Sequence, residues 1–305
     1  MKKIIQFLKK LFGSLESRVK LPFELIAHYL AKSAKSISYV ETFSKHEDAL
    51  HKWIKRIYEE DIRQGFEIQV RKIIRRLNIR YAEIAFDITK EPFYGKTSNL
   101  HTIGSSKKTH AYGAEFHFLT CCLINKGKQI PLMALPVRYG EQTKLTIDLI
   151  RYCQSLRFKI KSILFDRGFY RAEIIDYLNS QNIPYLMLCP ALDGILKEFR
   201  DNTDIFDSFL HQMQYTKAKS KWKPKVKIIV CKNINEHDWI FAGNIQFNNP
   251  EEYVYFYKRR WQIETNYRVE DEAKIKSKST NYIIRYFYFM LSHLFHLLWI
   301  VHKNI

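Results

Sequence analysis

The chain has 305 residues, about two domains' worth, and carries 50 Lys and Arg against 31 Asp and Glu, a formal charge of +19. With 46% hydrophobic and 15% aromatic residues, and only 10 Gly and 8 Pro, it can build a real core, which excludes a disordered, collagenous or linker-dominated chain. That much positive charge on a folded protein points to a polyanionic partner.

Residues 1–80 read as one helical region, with 18 basic against 9 acidic side chains. The opening MKKIIQFLKKLFGSL is a basic amphipathic helix and not an export signal, because Lys9 and Lys10 interrupt its apolar run and no small-residue cleavage site follows. In HKWIKRIYEEDIRQGFEIQVRKIIRRL apolar residues recur every three and four positions, and Arg71, Lys72, Arg75 and Arg76 fall at helical spacing. Such a stripe suits nucleic acid or a plain solvated face equally well.

At Tyr81 the texture changes. YAEIAFDIT, AYGAEFHFLTCCLI and QIPLMALPV have strand length and composition, with a turn at NKGK between the last two, and together suggest an antiparallel meander. The intervening KEPFYGKTSNLHTIGSSKKTH reads as a polar connection. Helical KLTIDLIRYCQSL, strand-like KSILFD, a turn at Arg167 and Gly168, helical RAEIIDYLNSQ and strand-like IPYLMLCP follow. A meander followed by alternating strands and helices predicts an α/β layer structure with a mixed sheet. Residues of about 191–250 look mostly β. Pro250 suits the first turn of a long helix that would run through EEYVYFYKRRWQIETNYRVEDEAKIK. The apolar stretch from Tyr286 to Val301, about 16 residues interrupted by Ser292, His293 and His296, falls short of the roughly 20 a membrane span needs and predicts a buried terminal helix. Cys121, Cys122, Cys153, Cys189 and Cys231 show no metal-binding spacing and read as buried reduced thiols of a cytosolic protein.

Three acids stand out. Asp87 ends the apolar run EIAF, Asp166 ends SILF, and Glu264 lies within RRWQIETNYR. Singly, each Asp is more often a turn or cap residue and the Glu a solvated one. Jointly, acids at strand carboxyl ends with a third on a nearby helix make a hard-oxygen site for Mg²⁺ or Mn²⁺, and two such ions about 3.5–4 Å apart suit phosphodiester chemistry. Tyr257, Arg260, Glu264 and Arg268 would share one helical face, a basic and aromatic row that fits a phosphate track.

DITKEPFYGK, LFDRGFY and YKRRWQIETNYR, in that order with a β-rich segment between the last two, resemble the DDE transposases of insertion sequences, in particular the IS4-like superfamily and its ISH3-type branch. The resemblance runs from about Ala82 to the C-terminus. It implies an RNase H-like catalytic domain over 81–305, a mixed sheet flanked by helices with a β-rich insertion at about 191–250; the helical region over 1–80 that precedes it would add DNA binding. It further implies that Asp87, on the central first strand, Asp166, after the fourth strand, and Glu264 form the catalytic and metal-binding triad. Tyr257 and Arg260 would belong to the family's Tyr-Arg-Glu-Lys signature, whose Lys falls on Asp271 here; Lys274 and Lys276 are the nearest substitutes. A related family holds a flipped base with a Trp in its insertion, and Trp222 and Trp239 occupy that part of this chain, although packed aromatics are the commoner case.

The expected protein is therefore a transposase that binds the inverted repeats of its element and target DNA, cleaves with two Mg²⁺ or Mn²⁺ ions, and assembles as a homo-oligomer when two ends are synapsed, with no membrane partner. Arg167, Arg260, Arg268, Lys274 and Lys276 would contact DNA together with Tyr257. The alternatives are a DNA-binding relic without catalysis and a stand-alone RNase H-like nuclease.

Overall fold

The computed structural model describes residues 2–16, 52–95, 100–109, 112–125, 128–190, 195, 204–213, 223–263, 275, 277 and 279–303. Helices α1 (Lys2–Glu16) and α2 (Glu59–Arg76) precede strands β1 (Tyr81–Phe93), β2 (Thr102–Thr109), β3 (Tyr112–Asn125) and β4 (Lys128–Val137). Helix α3 (Gln142–Ser155), β5 (Lys159–Phe165), α4 (Ala172–Ser180) and β6 (Tyr185–Leu188) follow. Strands β7 (Phe206–Gln212), β8 (Lys225–Ile234) and β9 (His237–Gly243) then lead to helices α5 (Pro250–Lys258) and α6 (Tyr282–Lys303).

Among the described residues all nine strands join one mixed sheet, in the order β2-β3-β1-β5-β6-β9-β8-β7, with β4 also on β3. β1 and β3 pair antiparallel, as do β3 and β4, whereas β5 lies parallel to β1 and β6 parallel to β5. The meander read from the sequence is thus present, with two additions. β1 continues to Phe93, four residues past the apolar run, and the polar connection contains β2, which pairs the start of β3 from Phe116 to Tyr112 while β4 takes its remainder. Polar side chains hid both, because the hydrophobic pattern marks a strand only where a face is buried. The β-rich segment is continuous with this sheet: β9 pairs β6 antiparallel and carries β8 and β7 outward.

Two asparagines aim strands into the sheet. Asn78 (φ 48°) and Asn182 (φ 49°) take the left-handed conformation just past α2 and α4, and Ile79 and Ile183 donate back to the carbonyls of Ile74 and Leu178 at 3.1 and 3.0 Å. These Schellman closures turn the chain sharply from each helix into β1 and β6.

Around the middle of β1, β5 and β6 the core divides by sheet face. Ala85, Cys122, Ile124, Leu164 and Leu186 form one cluster with Tyr253, Val254, Tyr257 and Ile263 from α5 and its continuation. Ile84, Phe86, Ile163, Phe165 and Met187, their alternates along the same strands, join the larger cluster that includes α3 and α4. α1 and α2 belong to that larger cluster too: Ile4, Phe7 and Leu8 are buried, and Phe7 stacks on Phe287 of α6 at 6.2 Å. Gly65 permits this approach, since a Cβ there would stand 3.2 Å from the Phe7 ring. The five cysteines are buried thiols that form no disulfide. α6 is longer than the apolar stretch suggested; over Tyr282–His302 it has the length and composition to cross a bilayer, but 83% of its apolar window is buried in the fold, as in a core helix.

Candidate active site

Asp87 and Asp166 occupy equivalent places on neighbouring parallel strands. The last registered pair of β1 and β5 is Ala85 with Leu164, and each aspartate lies two residues beyond, on the face covered by α5. Each is preceded by a phenylalanine pointing the opposite way: Phe86 and Phe165 meet at 5.0 Å, and Phe169 closes on them at 6.4 and 5.4 Å. This aromatic triangle fixes from beneath the two backbones that carry the acids. Phe169 belongs to the 3₁₀ turn Arg167–Phe169, which Gln142 also holds by donating to the Gly168 carbonyl at 3.1 Å.

Neither aspartate plays the ordinary turn role. Asp87 lies inside β1, where its Oδ1 accepts from the Ile88 amide at 2.8 Å and its carbonyl accepts from the Thr120 hydroxyl at 3.2 Å. Asp166 precedes the 3₁₀ turn, yet its side chain makes no capping hydrogen bond. Both are half-buried, and Arg167 beside them is exposed.

α5 brings the next group. Asn249 caps it by accepting from the Glu252 amide at 2.9 Å, and Pro250 opens its first turn. The long helix expected here changes to 3₁₀ at Arg259–Trp261 before two further helical residues, Gln262 and Ile263. At three residues per turn Arg260 falls over Tyr257, with its guanidinium carbon 5.8 Å from the ring centroid. Tyr257 is 1% exposed and Arg260 6% exposed. The Tyr257 ring packs on Phe241 at 5.2 Å and edge-on to Trp239 at 6.2 Å. Base stacking on Tyr257 therefore has no free ring face in this arrangement. Burial pushes its phenol up to about 12, Asp166 adds to the rise, and Arg260 and Arg167 oppose it. The hydroxyl thus sits in the fields of the second aspartate and both arginines, although the Arg260 approach is too loose for a regular hydrogen bond.

The structure accordingly groups Asp166 with Arg167, Tyr257 and Arg260, and strand register places Asp87 next to Asp166. Glu264, Arg268, Lys274 and Lys276 lie outside the described residues, as does Trp222. Trp239 is a packed residue whose Nε1 donates to the Ile234 carbonyl at 3.2 Å. Among the described residues no three metal-ligating side chains cluster. Residues unremarked in the sequence also frame the site. Arg259 pairs with Glu83 of β1 and donates to the Ile124 carbonyl at 3.5 Å, and Arg285 of α6 pairs with Glu91 at 3.4 Å. The repeated Phe-Asp dipeptide was the one sequence signal that could have flagged the aromatic triangle.

A mixed sheet of this order, with an aspartate on its central strand and another beyond the adjacent parallel strand, has the RNase H-like architecture of transposases and integrases. The chain belongs to the transposase DDE domain family, whose model matches residues 95–285, a span that begins just past Asp87 and includes Asp166. No curated protein matches it. Among solved structures, the cryo-EM piggyBac transposase synaptic complex with hairpin DNA is similar at a TM-score of 0.57 and 14% identity, over 99% of this chain and 72% of that one, which shows a shared fold. The Mos1 transposase paired-end complex with left transposon end also matches (TM-score 0.23, 12% identity, 53% of this chain and 56% of that one). So does the simian T-cell lymphotropic virus intasome in complex with PP2A regulatory subunit B56 gamma (TM-score 0.26, 11% identity, 73% and 99%). Both are too distant in shape to add to the comparison.

Proposed function

We propose that the protein is an insertion-sequence transposase of the IS4-like superfamily, ISH3-type branch. It binds the inverted ends of its element, cleaves the strand there, and joins the 3′-hydroxyl to target DNA. The observation that carries this reading is the placement of Asp87 on β1 and Asp166 just past the end of β5 at matching positions along adjacent parallel strands, both half-buried, with Arg167, Tyr257 and Arg260 grouped around Asp166. Membership of the DDE family supports it, and so does the DNA bound by the piggyBac transposase.

The donor set fits a hard divalent cation. Two carboxylates project from strands about 4.8 Å apart, and the Asp166 side chain is not spent on capping its turn. Asp87 and Asp166, with Glu264 as the third member, would hold two Mg²⁺ or Mn²⁺ ions. Bound there, such ions supply Lewis-acid activation of a water or 3′-hydroxyl and stabilise the departing oxygen. The chain's own residues do the rest. Exposed Arg167 grips a phosphate next to Asp166, as a guanidinium does bidentately. Buried Arg260 contributes a fixed positive field from beneath, and Tyr257, neutral throughout the working range, keeps the α5 turn seated against Asp166. Arg268, Lys274 and Lys276 extend the DNA track.

A plasmid integration assay tests this proposal. The wild-type chain should give joined products, and Asp87→Asn should retain end binding while losing cleavage and strand transfer by at least about a hundredfold. Full activity in that variant would overturn the assignment of Asp87. Nicks without joining would indicate a nuclease, and binding with neither would indicate a relic.

A further inference from the structure

β1 carries three acids at intervals of four residues, Glu83, Asp87 and Glu91. Because side chains alternate along a strand, all three share one face, each about 13 Å from the next. The outer two are each matched to an arginine from a different helix. Glu83 pairs with Arg259 in the turn after α5, at side-chain exposures of 18% and 22%, and Glu91 pairs with Arg285 at the start of α6, at 12% and 7%. Further contacts tether each arginine: Arg259 reaches the Ile124 carbonyl, and Arg285 donates to the Ser279 carbonyl at 2.7 Å and lies 5.0 Å from the Phe116 ring. α6 meets this same face beyond Asp87, since Phe118, registered with Thr89, stacks on Phe289 at 4.3 Å. Asp87 therefore stands in a slot between the α5 turn and α6.

We infer that Glu83–Arg259 and Glu91–Arg285 are positioning pairs, which clamp the two walls of this slot to the strand that carries Asp87. Partly buried ion pairs add little net stability, because desolvation offsets their attraction, but they fix geometry strongly. Arg259 is adjacent to Arg260 within a single 3₁₀ turn, so anchoring Arg259 to β1 sets the rotation that turns Arg260 and Tyr257 toward Asp166. The pairs also cancel two carboxylate charges on the face that an incoming phosphate must approach.

This inference rests on the cleavage function proposed above, and its test separates the two. The full chain is incubated with Mg²⁺ and a supercoiled plasmid carrying the DNA that flanks its coding region. Glu83→Gln should lower the nicking rate at saturating protein by about tenfold to about a hundredfold, the cost of a misplacement on the order of 1 Å, while plasmid binding stays unchanged. The reversed pair Glu83→Arg with Arg259→Glu should recover most of the rate, and Glu91→Gln should behave like Glu83→Gln. A pair that merely stabilises the fold would lower the melting temperature and leave the saturated rate alone. Independently of cleavage, hydrogen exchange reports the turn: the backbone amides of Arg259–Trp261 should exchange at least about tenfold faster in Glu83→Gln than in the wild-type chain, while those of β8 and β9 stay unchanged. If the wild-type chain does not nick, the functional reading fails and the positioning role stands or falls on this exchange. Wild-type nicking by Glu83→Gln, or exchange at the turn unmoved by it, would overturn the inference.

Discussion

At the scale of single residues, the site is built from opposed neighbours. Phe86 and Asp87, and Phe165 and Asp166, are adjacent pairs in which strand alternation sends the ring into one layer and the carboxylate into the other. The contact between the rings registers the acids, so the chemistry of one face is fixed by the packing of the other. On the acid face, Tyr257 is the residue whose titration reports burial. Its phenol is raised to about 12 against an ordinary 10, so the folded state holds its proton where the unfolded chain has released it. Stability from this group is complete below pH 10 and is lost as pH rises from 10 through 12, by about 3 kcal/mol in all. Denaturant unfolding across that window should show a steeper alkaline decline in the wild-type chain than in Tyr257→Phe, and equal slopes would refute the burial of the hydroxyl.

At the scale of elements, periodicity made most of the chain legible. β1, β3, β4, β5, β6, α3 and α4 all fall where apolar spacing put them, because each buries a face with the right period. Two failures have physical causes. β2 and the end of β1 carry polar side chains and are held by backbone pairing with β3, which leaves no hydrophobic trace. The 3₁₀ turn at Arg259–Trp261 breaks a helix whose composition gave no warning; it coincides with the Arg259–Glu83 pair and the Arg259 contact to Ile124, which are long-range constraints. Register between elements is equally demanding where β9 meets β6. A Cβ on Gly243 would collide with the Tyr185 carbonyl oxygen and stand 3.2 Å from the Leu186 Cα, and backbone atoms cannot move aside. Gly243→Ala should therefore cost about 2 kcal/mol or more in chemical denaturation, whereas Gly113→Ala, with nothing within 4 Å, should stay within about 0.5 kcal/mol of wild type. Equal effects would mean that β9 does not pack against β6 as closely as described.

At the scale of the whole molecule, the charge of +19 is distributed over a fold that has already satisfied part of it internally. Arg259 and Arg285 are engaged with acids, and Arg71, in the N-terminal stripe, pairs with Glu67 at 2.7 Å and bonds Ser155 at 2.9 and 3.0 Å. Lys72, Arg75, Arg76 and Arg167 remain exposed and available to phosphates. Binding to duplex DNA should consequently weaken steeply with salt, with a log–log slope of about −3 to −4, the mark of roughly four neutralised phosphates at about 0.9 each. A slope near zero in fluorescence anisotropy would show that the basic surface does not track a backbone.

The sequence by itself determined the order and type of the buried elements, the excess of positive charge, and the identity of the acids worth watching, since these follow from local periodicity, counting and three short motifs. Only the tertiary structure decided that Asp87 and Asp166 stand side by side, that Tyr257 faces inward, and that Glu83 and Glu91 are matched to arginines far along the chain. Those facts depend on strand register and on which helix covers which face. Register is set by packing among residues tens to hundreds of positions apart, and no local pattern encodes it.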